Sequence, residues 1–221
     1  MFVDRQHAGA ALAEALQKYK RSSPIIYALP RGGVAVGAIV ADRMSAPLDL
    51  ILVRKLGAPG YPEFAIGAVV DGPAPAIILH KDTVRQLHVS NDFIAQAKAA
   101  ALAEIERRRA SYLGTRPPIS PTGRSAVIVD DGIATGATME AAVEGMRRAG
   151  AREIVVAVPV APMDAAARFH LLADDFVCLE TPPVFQSVGS HYRDFEQLTD
   201  ADVLRLLAGQ KHVVSSAAGV Q

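Results

Sequence analysis

The segment Ala126-Val-Ile-Val-Asp-Asp-Gly-Ile-Ala-Thr-Gly-Ala-Thr138 constrains this chain more than any other. Its leading apolar residues, bounded by turn formers, predict a strand buried on both faces. That strand delivers two adjacent carboxylates, Asp130 and Asp131, into a loop of glycine, alanine and threonine, and Met139 to Ala149 continues as a helix. Gly132 and Gly136 let the backbone approach a ligand closely. The unpaired N–H groups and dipole of the helix start, with the hydroxyls of Thr135 and Thr138, favour an anion such as phosphate. The carboxylates do not suit that phosphate; they suit vicinal sugar hydroxyls or a magnesium ion. No Gly-Lys-Ser or Gly-Lys-Thr follows the glycines, which excludes a Walker A loop.

The rest of the chain alternates strands and helices. Strands are predicted at Pro24 to Pro30, Leu48 to Val53, Glu153 to Pro159 and Phe176 to Leu179. Helices are predicted at Asp4 to Tyr19 with Asp4 as cap, Val34 to Met44, Asn91 to Leu113 with Ser90 as cap, and Asp164 to Ala173. Ala65 to Val70 and Ala76 to Leu79, split by Asp71-Gly72-Pro73, suggest a hairpin or meander. The polar stretch from Arg54 to Glu63 carries glycine and proline and reads as mobile. This alternation favours an α/β fold with a largely parallel sheet and right-handed crossovers.

A length of 221 residues suits one large domain, without an internal repeat or a dividing linker. Lys+Arg and Asp+Glu both number 23, so no global basic field argues for nucleic acid, which is an unlikely partner on charge alone. The single cysteine, Cys178, excludes an internal disulfide framework, and the six histidines show no zinc-ligand spacing. The N-terminus lacks a secretory core and no run approaches about 18 apolar residues. The expected location is therefore cytoplasmic, with no membrane partner.

Val127-Ile-Val-Asp-Asp-Gly-Ile-Ala-Thr-Gly-Ala-Thr-Met139 resembles the signature of the type I phosphoribosyltransferases, especially its adenine phosphoribosyltransferase form. The resemblance covers essentially Met1 to Leu207, including Phe2-Val-Asp-Arg5, and is strongest to a group of bacterial phosphoribosyltransferases of undefined substrate. It implies a Rossmann-like, mostly parallel central sheet flanked by helices, with a small hood and a flexible lid. It implies that Asp130 and Asp131 bind the ribose hydroxyls of phosphoribosyl pyrophosphate and meet Mg2+, while Ala134, Thr135, Gly136, Ala137 and Thr138 hold its 5-phosphate, with Gly132 also counted among the substrate-binding residues. Ala134 stands where hypoxanthine-guanine enzymes carry an acid, which argues against a 6-oxopurine.

Leu29-Pro-Arg-Gly-Gly33 is similar to the family's pyrophosphate loop, with Arg31, Gly32 and Gly33 against the leaving group and a strained or cis peptide expected at Arg31-Gly32. Arg54-Lys55 is similar to its basic segment, Gly57 to Phe64 to its lid, and Glu63 is a candidate acid or base. Arg31, Lys55 and Glu63 form the expected catalytic set. The hood is expected from the N-terminal segment and residues 180–207, where Phe185 and Tyr192 either stack on a nitrogenous base or pack internally. Residues 1–212 form the expected domain, 213–221 a frayed tail, and a homodimer is the expected assembly.

His191 reads as a loop histidine, Cys178 as core, His80 and His88 as uninformative, and Glu106-Arg-Arg-Arg109 as a solvated helix face. The implied activity is phosphoribosyl transfer in nucleotide metabolism. A regulator sensing nucleotides or phosphoribosyl compounds, or a hydrolase or transferase of another phosphorylated sugar, would keep the same phosphate loop.

Overall fold

The computed structural model describes residues 1–72 and 75–210. The first helix, α1 (Arg5–Ala15), starts where the Asp4 side chain accepts the His7 N–H at 2.7 Å. It ends sooner than the spacing predicts, and a 3-10 turn over Gln17–Ser22 carries the remainder to a left-handed Ser23. Next come β1 (Ile25–Ala28), α2 (Gly32–Met44), β2 (Leu48–Leu50) and an antiparallel set, β3 (Val53–Ala58), β4 (Tyr61–Val70) and β5 (Ala76–Leu79). The short α3 (Lys81–Gln86) precedes α4 (Asn91–Leu113), whose first turn is capped by the Ser90 hydroxyl accepting the Phe93 N–H. The chain finishes with β6 (Ser125–Val129), α5 (Ala137–Arg148), β7 (Glu153–Val160), α6 (Met163–Leu172), β8 (Asp175–Glu180) and α7 (Asp200–Ala208).

The central sheet is wholly parallel, in the order β2-β1-β6-β7-β8. Its middle strands β1 and β6 are buried at every residue, as helices on both faces require. One core cluster unites Leu12, Leu16, Val36, Val40 and Val127; the cluster on the other face unites Ile128, Met139, Met146, Val156 and Phe169. Each such fully buried aliphatic or aromatic side chain contributes about 1.5–3 kcal/mol relative to leaving it in water. From β1 the chain moves outward to β2, then returns to place β6 on β1's other side. The order of strands therefore reverses between β1 and β6, and the crevice beyond their carboxyl ends is where an open α/β sheet binds ligands.

Two expectations are corrected. The stretch from Arg54 to Glu63 is not irregular: it forms a hairpin in which Val53 pairs with Val70 and Ala58 with Tyr61, turning at Pro59-Gly60. Leu56 and Ala58 alternate inward, and Gly60 takes the positive φ of 75° that such a turn demands. The glycine and proline of this stretch supply the turn of the hairpin. The second correction concerns Arg109, which leaves the solvated face of α4. Its guanidinium pairs with Asp49 and Asp71 at 2.7 Å each.

The N-terminal segment and residues 182–199 are joined to each other. Phe2 donates its N–H to the His191 carbonyl and accepts the Arg193 N–H on its own carbonyl, bracketing Tyr192, on whose ring it packs. Among the described residues no helix is long and apolar enough to cross a membrane. The proposed tail at 213–221 lies outside the described residues.

Candidate active site

The loops leaving β1 and β6 meet in the crevice. Leu29 donates its N–H to the carbonyl of Val129 at 3.0 Å, carrying the pairing of the two strands into their loops. Gly32 and Gly33 then press onto the acid pair, while the Arg31 guanidinium lies 3.8 Å from the Asp200 carboxylate. A Cβ at Gly32 would lie 1.9 Å from Asp131 Oδ2, and one at Gly33 would lie 2.7 Å from the Val129 carbonyl oxygen. Only glycine permits either approach, because no real Cβ makes such contacts. The cis peptide of this loop is Pro30-Arg31, one bond earlier than the expected Arg31-Gly32.

The loop after β6 shapes a cavity of about 210 Å³ lined by Asp130, Gly132 to Met139 and Val188. At roughly 30 Å³ per water it has room for a small polyatomic anion with its hydration. Gly136 precedes α5 with φ of 81°, and its carbonyl accepts the helix's first bond, from the Glu140 N–H. The N–H groups of Ala137, Thr138 and Met139 are consequently free of intrahelical partners and carry the helix's positive end. Arg168 of α6 braces the loop by donating to the Thr135 carbonyl at 2.5 Å while pairing with Glu140 at 2.8 Å. A Cβ at Gly136 would strike that guanidinium.

The two carboxylates sit in unlike surroundings. Asp130 accepts the Asp131 N–H at 2.9 Å and, among the described residues, pairs with no arginine. Burial and, next, the neighbouring Asp131 charge push its carboxyl well above the usual carboxylate range. Asp131 is also pushed up by burial, but Arg5 opposes the shift. The Arg5 Nε donates to Asp131 Oδ2 at 2.8 Å, with side-chain exposures of only 11% and 13%. Arg5 in turn lies 3.8 Å over the Phe195 ring and donates to the Glu196 carbonyl at 2.9 Å. Tyr192 donates its hydroxyl to the Asp131 carbonyl at 2.6 Å, and burial raises that phenol above its ordinary range.

The acid pair supplies hard oxygen donors suited to magnesium. Asp131 Oδ2 is engaged by Arg5 and Asp130 Oδ1 by the Asp131 N–H, so Asp131 Oδ1 and Asp130 Oδ2 are the oxygens left to offer. Among the described residues no group of three or more His, Cys, Asp or Glu forms a metal cage. Two carboxylates fill only part of an octahedral shell, so a magnesium ion held by them would keep waters or take substrate oxygens.

The basic segment does not join the crevice as a unit. Arg54 and Lys55 are consecutive on β3 and point to opposite faces. The Arg54 charge acts on Glu104 of α4, whereas Lys55 lines a cavity of about 660 Å³ with Ala137, Glu140 and Arg147 of α5. Glu63 lies on the exposed outer end of β4. Tyr192 is buried between Phe2 and Phe195, so its ring packs internally. Phe185 stacks on His191 at 5.4 Å between centroids. Cys178 is half-buried, its thiol pushed up to about 11 by burial.

Arg5, Arg168, Val188 and the Tyr192 hydroxyl contact the site without having been singled out for it. Each reaches it from far along the chain, and no local spacing marks a long-range ion pair or a loop brace. The segment Phe2-Val-Asp-Arg5 belongs to the resembling pattern, which was the single sequence signal pointing at Arg5.

The phosphoribosyl transferase domain model matches residues 4–193, which include Arg5, both crevice loops and Tyr192. Relatives from two strains of Mycobacterium tuberculosis, provisionally named phosphoribosyl transferases, are 44% identical over 207 residues. The match covers 94% of this chain and 46% of theirs, so the chain spans about half the length of the curated relatives it matches. The crystal structure of TT1426 from Thermus thermophilus is 43% identical with a TM-score of 0.81, covering 93% of this chain and 97% of that one. The crevice loops and the match around them agree: this chain belongs to the phosphoribosyl transferase domain family.

Proposed function

We propose that this protein binds phosphoribosyl pyrophosphate with magnesium and transfers the phosphoribosyl group to a nitrogenous base, releasing pyrophosphate. The observation that carries this reading is the seating of Gly32 against the Asp131 carboxylate. It sets an arginine-bearing, amide-lined turn beside an acid pair that itself borders a phosphate-sized cavity.

The 5-phosphate fits the cavity of residues 132–139, where the amides of Ala137 to Met139 and the hydroxyls of Thr135 and Thr138 can donate to it. The ribose hydroxyls then donate to Asp130 and Asp131, and the diphosphate meets Arg31 and the amides of Gly32 and Gly33. In the reaction the anomeric C–O bond breaks with its electron pair leaving on pyrophosphate, while the base nitrogen forms the new bond to the anomeric carbon. Positive charge on the sugar ring develops beside the acid pair, and negative charge on the leaving group develops beside Arg31. Magnesium, taken by the free oxygens of Asp130 and Asp131 together with substrate oxygens, would supply charge neutralisation for the departing diphosphate. Lys55 and Glu63 enter this scheme through closure of the β3–β4 hairpin, which would also exclude water.

The test is a pyrophosphate-release screen over purine, pyrimidine and related bases, run beside calorimetric titration of phosphoribosyl pyrophosphate with magnesium. Binding by the wild type, its loss in the Asp130→Asn/Asp131→Asn double variant, and release with one base are expected. Binding without release for any base would instead favour a sensor. Absence of wild-type binding would refute the assignment and leave another sugar phosphate as the ligand to test.

A further inference from the structure

We propose that Arg5 is a positioning residue: it fixes the Asp131 carboxylate so that this group and Asp130 present their free oxygens to the sugar hydroxyls. The inference rests on the functional reading above and assigns a role to a side chain outside both crevice loops. Three observations carry it. First, the pair is directional, since Arg5 Nε reaches Asp131 Oδ2 at 2.8 Å while another nitrogen of the same fork reaches the Glu196 carbonyl at 2.9 Å. A planar fork held at two points fixes the plane of whatever it binds, which a point charge cannot do. Second, the captured oxygen is the one that leaves no room for a Cβ at Gly32, so its place also sets the path of the turn carrying Arg31.

Third, the guanidinium is itself built in. It lies 3.8 Å over the Phe195 ring, and Phe195 packs on Tyr192, whose hydroxyl holds the Asp131 carbonyl at 2.6 Å. Asp131 is thus gripped at side chain and backbone by two residues that contact each other through one aromatic ring. A purely structural ion pair would not need its carboxylate on the rim of the crevice. Without Arg5, Asp131 would turn freely beside the like charge of Asp130, and hydroxyl acceptance would lose its geometry. Loss of a residue that orients a binding group ordinarily weakens the site roughly ten- to a hundredfold.

The experiment titrates three ligands, each with magnesium, into wild type, Arg5→Gln and Arg5→Lys: phosphoribosyl pyrophosphate, ribose 5-phosphate and inorganic pyrophosphate. Only the first two carry the hydroxyls that the acid pair would hold. Arg5→Gln is expected to weaken both sugar ligands by a similar factor, roughly ten- to a hundredfold, and inorganic pyrophosphate, which has no hydroxyls to place, by clearly less. Arg5→Lys keeps the charge without the fork and should recover part of that loss. If Arg5→Gln fails to fold, a partial, sugar-selective loss in Arg5→Lys carries the same expectation. Wild-type affinity for both sugars in every folded variant, or equal weakening of all three ligands, overturns the proposal. Wild-type protein that binds neither sugar phosphate overturns the functional reading itself, and the proposal with it.

Discussion

Two recessed pairs of aspartates share this fold, and their surroundings differ by one arginine. Asp49 and Asp71 lie beneath α4 with two guanidiniums in reach: Arg109 at 2.7 Å from both and Arg116 at 3.6 Å from Asp49. Backbone N–H groups of Leu50 and Ile119 donate to Asp49, and that of Leu52 donates to Asp71. Among the described residues the crevice pair has one ion-paired arginine, Arg5 on Asp131, and Asp130 makes no ion pair. The first pair ties β2, the β4–β5 turn, α4 and the loop after it together with its charges matched. The second holds surplus negative charge where the two ligand-facing loops meet, the condition expected of a group that awaits a cation and hydroxyl donors.

The largest effect expected from this comparison is on stability at the matched pair. Arg109→Ala leaves two buried carboxylates facing Arg116 and should destabilise the protein by about 3–5 kcal/mol, read as a fall in urea midpoint at constant slope. Gly32→Ala should cost about 1–3 kcal/mol by overpacking against Asp131 and remove sugar-phosphate binding, measured by unfolding and calorimetry together.

Asp71 supplies a pH test. Burial, outweighing Arg109, raises its carboxyl from 3.8 to about 6. The folded state therefore holds this proton to higher pH than the unfolded chain, and the Asp71 contribution to stability declines as pH rises from about 4 to 6. Comparing the wild type with Asp71→Asn should show a stability difference of about 1–3 kcal/mol developing across that window; a flat difference would contradict the shift.

The crevice pair should behave the opposite way to Arg109. Asp130→Asn removes a charge that burial and Asp131 both oppose, so thermal unfolding should move up by a few degrees, on the order of 1 kcal/mol, while ligand binding is lost. The smallest effect belongs to Tyr192→Phe, which deletes the bond to the Asp131 carbonyl and should cost about 1 kcal/mol or less with the ring packing kept.

Much of this was legible in the residues. Strand β6 and its loop could be read because a short apolar run, two acids and a glycine-threonine loop are all local, and the structure places the loop at the start of α5. The caps Asp4 and Ser90 were legible for the same reason. The β3–β4 hairpin was misread because its strands are polar at Arg54, Lys55, Tyr61 and Glu63, so inward alternation shows only at Leu56 and Ala58. Arg109 was misread because a run of three arginines on a helix looks solvated; only the fold brings Asp49 and Asp71 beneath one of them. Arg5 and Tyr192 meet Asp131 from opposite ends of the chain, a convergence that no spacing encodes.

The central claim is that the under-neutralised pair, and not the matched one, receives the sugar phosphate. Calorimetric titration of phosphoribosyl pyrophosphate with magnesium into wild type, Asp130→Asn and Asp71→Asn tests it most directly. The account predicts binding by wild type and Asp71→Asn and at least a hundredfold weaker binding by Asp130→Asn, or about 2.7 kcal/mol. Equal binding by wild type and Asp130→Asn, or no binding by wild type, would contradict it.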